Sequence, residues 1–290
     1  MSKQKRVIAM HDISCVGKCS LTVALPIISA AGVECSLFPT AVLSTHTGGF
    51  ENYTLCDLSD KLMPILNHWK SLNLSADAVY TGYLASLEQI AVAENLFDYF
   101  KNDKCTVFVD PVMADNGRMY AGFDKSFAEA MARLCSKADV ITPNITEAAL
   151  MLGEPFREGP YTREYIENLL KKLSSICRGK IILTGVYFDE HNIGAAAYDN
   201  LSNDICFCMS RRIPGSVHGT GDIFASVLVG ALLNYVPLKK SVQIAADYVA
   251  DCIKRTVDSG SEKRYGVNFE AGIGALITMI NSSLNSDNKQ

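Results

Sequence analysis

His218–Ser226 reads HGTGDIFAS, and two glycines flank Thr220 directly before an apolar helical pattern. Glycine lets backbone N–H groups turn toward one point, and a helix N-terminus adds a partial positive charge. The run Gly219, Thr220, Gly221 therefore predicts an anion cradle suited to a phosphate group. Asp222 could stabilise the helix start, or it could be a general base for a hydroxyl group that attacks a phosphate.

Strand-like and helix-like patterns alternate on both sides of this segment, from a first strand at Arg6–Met10 onward. This alternation is typical of a mostly parallel sheet covered by helices on both faces. An antiparallel hairpin is predicted across Asp199 and Asn200. No repeat or linker interrupts the order, so we expect one α/β domain over residues 1–290 with a polar tail at about 285–290.

The composition excludes several classes of protein. A formal net charge of −4 gives no general reason to expect nucleic-acid binding, because a phosphate backbone requires a basic face. The longest apolar run, near Ile223–Leu233, is too short to span a membrane. The N-terminus MSKQKRVIAM has no features of a secretory signal. We therefore expect a cytoplasmic protein whose ten cysteines are mostly buried thiols.

Two acidic segments follow predicted strands, at Asp110–Tyr120 (DPVMADNGRMY) and Thr142–Gly153 (TPNITEAALMLG). Parallel sheets bind ligands at the carboxyl ends of their strands. Magnesium usually takes one or two carboxylates together with water and phosphate oxygens. Asp110 and Glu147 are therefore candidate magnesium ligands, and Asn144 could donate to a phosphate oxygen. Alternatively, Glu147 and Asn144 only cap the start of a helix.

Thr184 ends the strand pattern KIILT at Lys180–Thr184, where it could touch phosphate or ribose. Two nucleotide-binding motifs are excluded. Gly17–Cys19 lacks the upstream glycine and the Ser or Thr of a Walker A loop. The first strand is not followed by G-x-G-x-x-G, which argues against a dinucleotide-dependent dehydrogenase.

With these segments the chain resembles the pyridoxal kinase branch of the ribokinase superfamily over nearly its whole length. The resemblance is carried by HDISCVGKCSLTVALPI at 11–27, LSTHTGGF at Leu43–Phe50, TGY at Thr81–Tyr83, DPVMADNG at 110–117, TPNITEAALMLG at Thr142–Gly153, HGTGD at 218–222 and GVNF at 266–269. The STHTGG segment points to the vitamin B6 branch.

The resemblance implies a ribokinase-like fold without the large lid of sugar kinases, and a homodimer. It implies transfer of the ATP γ-phosphoryl group to the 5′-hydroxymethyl group of pyridoxal, pyridoxine or pyridoxamine, with Mg²⁺ as cofactor and a monovalent cation left open. The roles it implies are Asp222 as catalytic base, Gly219, Thr220 and Gly221 as anion hole, Asp110 and Glu147 for Mg²⁺, Asp115, Asn144 and Thr184 for ATP, and Ser14, His46, Thr47 and Tyr83 for the substrate.

Two other functions remain open. One is phosphorylation of hydroxymethylpyrimidine in thiamine salvage, since His218 before GTGD also occurs in those kinases. Those enzymes often carry cysteine where this chain has Asp222, which argues against the assignment. The other is a non-catalytic B6-binding or carrier protein, which would not need Asp222, Asp110 and Glu147.

The substrate-side residues also have structural interpretations. In isolation, His46 and Thr47 would more often form a satisfied turn, and Tyr83 would be a core aromatic residue. The first loop, MHDISCVG, is shorter than in animal pyridoxal kinases, which leaves the register of Asp12 and Ser14 open.

Overall fold

A computed structural model describes residues 4–215 and 217–287. It divides into two compact units: unit 1 comprises Met1–Ala78 and Ile213–Gln290, and unit 2 comprises Val79–Arg212. Whether the two units form one domain stays a prediction. The last helix reaches Asp287, and residues 288–290 of the predicted polar tail lie outside the described residues.

The strands and helices alternate along the chain. The strands are β1 (Arg6–Met10), β2 (Ile13–Ser14), β3 (Glu34–Leu37), β4 (Ala41–Leu43), β5 (Leu55–Asp57), β6 (Ala78–Thr81), β7 (Thr106–Val109), β8 (Ala114–Asp115), β9 (Arg118–Met119), β10 (Val140–Ile141), β11 (Lys180–Val186), β12 (Asn192–Asp199) and β13 (Asp204–Arg211). The α-helices are α1 (Leu21–Ala30), α2 (Ser59–Ser71), α3 (Leu87–Phe100), α4 (Lys125–Ser136), α5 (Ile145–Leu152), α6 (Arg163–Leu173), α7 (Thr220–Leu233), α8 (Leu238–Asp258) and α9 (Ile273–Asp287).

Unit 1 is built on β1 and β3, which pair in parallel with Arg6 opposite Glu34. Four consecutive residues of β1 are fully buried, as expected for a strand covered on both faces. A smaller sheet joins β2 to β4 in parallel and β4 to β5 in antiparallel. Helix α7 packs against α1 and α8, and ten of its residues are buried. These contacts place the start of α7 beside the loop that precedes α1.

Unit 2 contains six neighbouring strands in the order β13-β12-β11-β10-β7-β6. Strands β7, β10 and β11 are parallel, whereas β12 pairs in antiparallel with both β11 and β13. The predicted hairpin is confirmed, since Asp199 pairs with Asp204 across its turn. Helix α5 follows β10 directly, so its N-terminus lies at the carboxyl end of a parallel strand.

The predicted α/β class is confirmed. The main sheet has eight strands and is mostly parallel, and helices connect its parallel strands. Among the described residues no helix combines the length and the apolar character that crossing a membrane requires. The ten cysteines are all described, and none is joined in a disulfide.

Candidate active site

The GTG segment in unit 1 forms the N-terminus of α7, as the sequence predicted. Gly219 is the N-cap with φ +83°, in the left-handed region that favours glycine. A Cβ added there would lie 2.0 Å from the carbonyl oxygen of Lys18, so no larger residue fits this turn. Thr220 begins the helix and Asp222 stands in its first turn. The segment thus presents helix-terminal N–H groups of the kind that bind anions.

The carboxyl group of Asp222 titrates far from its usual range. Burial raises the pKa of Asp222 to about 7, and the negative charge of Asp12 acts in the same direction. The backbone N–H of Ser20 faces the carboxylate and lowers its pKa, which opposes the rise. A carboxylate that titrates near neutral pH has the basicity to accept a proton from a reacting hydroxyl group.

Asp12 is a second buried carboxyl beside Asp222. It is 6% exposed, and the Oγ atoms of Ser14 and Ser20 donate to its two carboxylate oxygens at 3.0 and 2.6 Å. Burial raises the pKa of Asp12, and the two hydroxyl groups partly offset this. The predicted substrate residue Ser14 is therefore already engaged by Asp12 and offers its hydroxyl group to a ligand only as an acceptor.

Both ring nitrogens of His46 form hydrogen bonds with backbone groups. Its Nε2 lies 2.6 Å from the carbonyl oxygen of Arg264, and its Nδ1 accepts from the N–H of Gly48 at 3.0 Å. These partners require the neutral tautomer with the hydrogen on Nε2. The ring centroids of Phe50 and His218 are each 5.1 Å away. A ligand would therefore meet the ring of His46 rather than a free nitrogen.

The first loop approaches the ring of His46 closely at Gly17. A Cβ added at Gly17, which has φ +93°, would lie 2.0 Å from Cδ2 of His46. The first loop can therefore pack directly on this ring only because residue 17 has no side chain. Thr47, the other predicted residue of this loop, is exposed and accessible to a ligand.

Unit 2 holds the two predicted metal carboxylates. Asp110 is 7% exposed and accepts from the Thr142 hydroxyl group at 3.0 Å. Glu147 is 3% exposed and accepts from the N–H groups of Met113 and Asn144 at 3.1 and 2.9 Å. Burial raises the pKa of Glu147 well above its usual range, and the charge of Asp110 raises it further. The two carboxyl groups are therefore close enough to repel one another.

These residues suit a magnesium ion bound mainly by water and phosphate. No group of three or more Asp, Glu, His or Cys side chains in residues 4–215 and 217–287 is arranged around a metal position. Magnesium usually needs only one or two carboxylates in such a site. A cation would also relieve the repulsion between Asp110 and Glu147.

Asn144 caps helix α5, which was its alternative interpretation. Its Oδ1 accepts from the N–H of Glu147 at 2.9 Å, and the Glu147 carboxylate accepts from its backbone N–H in return. Its Nδ2 donates to the carbonyl oxygen of Ala114 at 2.8 Å. One amide hydrogen remains for a phosphate oxygen, so capping and ligand binding are compatible.

Thr184 and Asp115 lie in unit 2 near this helix start. Thr184 forms an isolated parallel bridge with Asn144, and its N–H donates to the carbonyl oxygen of Pro143 at 2.9 Å. Asp115 is exposed at the end of β8 and accepts from the backbone N–H and Nδ2 of Asn116. Contact of either side chain with ATP stays a prediction.

Tyr83 packs against an aromatic neighbour, with its ring centroid 5.7 Å from that of Phe123. Thr81, in the same TGY segment, is fully buried, and its Oγ1 has no hydrogen-bond partner in the described part of the chain. A buried hydroxyl group of this kind is costly unless a ligand or water satisfies it.

The sequence did not reveal the role of Ser20. Serine directly before an apolar helical pattern predicts an N-cap, and Ser20 does hold that position in α1. However, its side chain makes no capping bond and turns to Asp12 instead. The spacing of Asp12, Ser14 and Ser20 carries no local signal for this contact, because it depends on the pairing of Ser20 with Ile13.

Comparisons with known proteins identify the family of the chain. The model of the family described as phosphomethylpyrimidine kinase matches residues 27–267. A Bacteroides thetaiotaomicron protein assigned as a phosphomethylpyrimidine kinase, crystallised with pyridoxal, is 36% identical with a TM-score of 0.90, covering 94% of this chain and 96% of its own. Pyridoxal kinase from Lactobacillus plantarum is 31% identical with a TM-score of 0.88, covering 97% and 99%. A Schizosaccharomyces pombe protein assigned as a pyridoxal kinase is 25% identical over 281 residues, 89% of this chain and 87% of its own.

The chain belongs to the phosphomethylpyrimidine kinase family. The predicted resemblance to pyridoxal kinases of the ribokinase superfamily is confirmed by these relatives, and the protein is a kinase, as the sequence predicted.

Proposed function

We propose that the protein transfers the γ-phosphoryl group of ATP to the 5′-hydroxymethyl group of pyridoxal, pyridoxine or pyridoxamine. The observation that carries the proposal is the Asp222 carboxyl group, whose pKa is raised to about 7 in the first turn of α7. Its carboxylate accepts the proton of the substrate hydroxyl group while that oxygen attacks the γ-phosphorus, and ADP leaves.

The anion hole in this proposal is the N-terminal segment of α7. The N–H groups of Gly219, Thr220 and Gly221 offset the negative charge that the transferring phosphoryl group carries. Their orientation is fixed before the reaction, since Gly219 packs against the Lys18 carbonyl. Fixed donors need no reorganisation during the transfer.

Magnesium supplies charge neutralisation of the phosphate oxygens when it is bound. We assign Asp110 as its nearer protein ligand, because the carboxylate of Glu147 is already occupied by backbone N–H groups. Glu147 would act on the ion through water. Asn144, Thr184 and Asp115 are the proposed contacts to ATP, and a monovalent cation remains open.

The proposed substrate-binding residues are Ser14, His46, Thr47 and Tyr83. His46 presents its ring to the pyridine, since its nitrogens are engaged, and exposed Thr47 offers a hydroxyl group. The pyridoxal in the crystal of the Bacteroides relative supports a B6 vitamer as the substrate. The proposal includes a cytoplasmic location and a homodimer. Light scattering of the purified 290-residue chain would test the dimer.

Phosphorylation of hydroxymethylpyrimidine is the second candidate. It is favoured by the description of the matching family and by relatives such as the hydroxymethylpyrimidine/phosphomethylpyrimidine kinase of Aquifex aeolicus, which is 25% identical over 196 residues. Both substrates are small aromatic heterocycles with a CH₂OH group, so a single assay must compare them.

The test is ADP release with Mg·ATP and each of the three vitamers or hydroxymethylpyrimidine. We expect kcat/KM for at least one vitamer to exceed that for hydroxymethylpyrimidine by about tenfold or more, a difference of about 1.4 kcal/mol. A higher kcat/KM for hydroxymethylpyrimidine would assign the protein to thiamine salvage instead. Binding of pyridoxal without ADP release would instead indicate a carrier protein.

A further inference from the structure

Ser20 adopts a backbone conformation that serine rarely takes. Its φ is 55° and its ψ is −132°, in the positive-φ region that favours glycine. The residue is 5% exposed and lies directly before α1. Residues held in such conformations cluster at functional sites, where the surrounding structure imposes them.

Hydrogen bonds on both sides hold Ser20 in place. It bridges to Ile13, and the N–H of Leu21 donates to the carbonyl oxygen of Asp12 at 3.1 Å. The carbonyl oxygen of Ser20 accepts from Val23 and Ala24 at 3.0 and 2.9 Å. The conformation is therefore imposed by the loop and by the helix together.

This conformation directs both donors of Ser20 to carboxyl groups. The backbone N–H faces Asp222 and lowers its pKa, and the hydroxyl group donates to Asp12 at 2.6 Å. A serine in an ordinary N-cap conformation would instead direct its side chain to the helix N–H groups. One strained residue thus connects the proposed base to a second buried carboxyl group.

We propose that Ser20 and Asp12 form a positioning pair for Asp222, in which Ser20 fixes the carboxylate of the base and keeps the charge of Asp12 beside it. The inference rests on the proposed role of Asp222 as base. Asp12 strengthens that base, because a neighbouring negative charge favours the protonated form of Asp222.

Few other ionisable groups act on Asp222. Cys19 also lies beside it, but burial and the charges of Asp222 and Asp12 raise the pKa of the Cys19 thiol, which stays neutral. His46 also faces Asp12, but its two backbone hydrogen bonds keep the ring neutral. Asp12 is therefore the charged side chain through which the basicity of Asp222 can be changed.

His218 lies two residues before α7 and is a further titratable group near Asp222 in the sequence. Burial lowers the pKa of His218 below its ordinary value, which favours the neutral ring. The ammonium group of Lys18, whose carbonyl packs on Gly219, forms an ion pair with Glu270 at 2.8 Å.

The first experiment is Asp12→Asn, which removes the charge and keeps an oxygen acceptor for Ser20. The acid limb of the pH profile of kcat/KM should move to lower pH by about half a unit or more. The same shift should occur in the ¹³C titration of the Asp222 carboxyl group, assigned by its loss in Asp222→Asn. An unchanged or upward midpoint would overturn the proposal.

The NMR titration needs no turnover, so it separates this inference from the proposed function. If the wild-type protein phosphorylates none of the substrates, the proposed function is wrong. A downward midpoint in Asp12→Asn would still support the coupling between the two carboxyl groups.

The second experiment uses Ser20→Ala and Ser20→Gly, which both remove the hydroxyl group. Both should lower kcat on the order of tenfold with little change in KM for ATP. Both should also move the acid limb downward, because Asp12 loses a donor and holds less negative charge. Ser20→Gly should melt at a higher temperature than Ser20→Ala, since glycine accepts the positive φ without strain.

Two matched controls separate these effects from folding. Asn73→Gly relieves another positive φ, of 51°, at an exposed position. Ser241→Ala removes a buried hydroxyl group that donates to the Val236 carbonyl at 3.0 Å. Both controls should change only the melting temperature. Wild-type kcat and pH profile in both Ser20 variants would overturn the pairing of Ser20 with Asp12 that the proposal requires.

Discussion

Burial raises the pKa of Asp222 to about 7, against 3.8 for an ordinary aspartate. Between these two values the folded state binds a proton that the unfolded state has released. The contribution of Asp222 to stability therefore falls as the pH rises through this window. At the pH where the carboxylate can accept a proton, it also destabilises the fold.

We predict that Asp222→Asn separates these two effects. Turnover should fall on the order of 10²–10⁴-fold, because the general base is lost while the shape is kept. The melting temperature should rise relative to wild type, with a difference that grows from about pH 4 to about pH 7. Thermal melts at several pH values and a kcat measurement check both parts. Near-normal turnover would contradict the assignment of the base.

His46 is the second residue whose chemistry is set by its contacts. We predict that His46→Phe, which keeps a ring but loses both backbone hydrogen bonds, lowers the free energy of unfolding by about 1–3 kcal/mol. KM for the vitamer should rise, because the loop that carries Thr47 loses its anchor. Denaturant unfolding and steady-state kinetics measure the two effects.

The matched control is His68→Phe, at an exposed position of α2. It should leave KM unchanged. An unchanged stability in His46→Phe would mean that the two hydrogen bonds contribute little and that the loop is held by packing alone.

At the scale of elements, the sequence indicates the bounds of a helix where the residues that cap it are local. Helix α5 (Ile145–Leu152) is bounded by such signals, because Asn144 caps one end and Gly153, with φ +66°, closes the other. The helical pattern of the sequence continues from Arg163 to Cys177, whereas α6 ends at Leu173. The hydroxyl groups of Ser174 and Ser175 bond back to preceding carbonyls, which competes with further helix.

Short and exposed elements were not predicted. Strand β5 (Leu55–Asp57) is exposed at every residue, so it carries no alternation of apolar and polar residues. The β8–β9 hairpin consists of two-residue strands joined by Asn116 and Gly117, both at positive φ. Glycine and acidic residues mark the predicted site residues in the sequence, whereas the contact of Ser20 with Asp12 depends on the pairing of Ser20 with Ile13.

The start of α5 allows capping to be tested apart from ATP binding. We predict that Asn144→Asp, which keeps the cap acceptor but loses both amide donors, raises KM for ATP and lowers stability, because a carboxylate oxygen replaces the donor to the Ala114 carbonyl. Asn144→Ala should also lower stability, by about 1–2 kcal/mol. Unfolding curves and ATP kinetics distinguish the two variants.

Thr162→Ala is the matched control, because Thr162 caps α6 by accepting from the N–H of Tyr165 at 3.1 Å. Its loss should reduce stability without changing KM for ATP. Equal ATP kinetics in Asn144→Asp and wild type would limit Asn144 to capping.

At the scale of the whole molecule, the proposed chemistry is divided between the two units. Unit 1 holds the base, its positioning pair and the anion hole, whereas unit 2 holds the carboxylates and the residues proposed for ATP. The proposed base and the proposed cation ligands therefore belong to different units. Variants in the two units should therefore differ in how their activity depends on the Mg²⁺ concentration.

We predict that Asp110→Asn raises the Mg²⁺ concentration needed for half-maximal ADP release, because the proposed ion loses its nearer carboxylate. Turnover in Asp222→Asn should stay low at every Mg²⁺ concentration, since added cation cannot replace a base. Asp103→Asn changes the net charge equally at an exposed position of unit 2 and should behave as wild type. If Asp110→Asn and Asp222→Asn respond identically to Mg²⁺, Asp110 does not hold the ion, and the division of roles between the units is wrong.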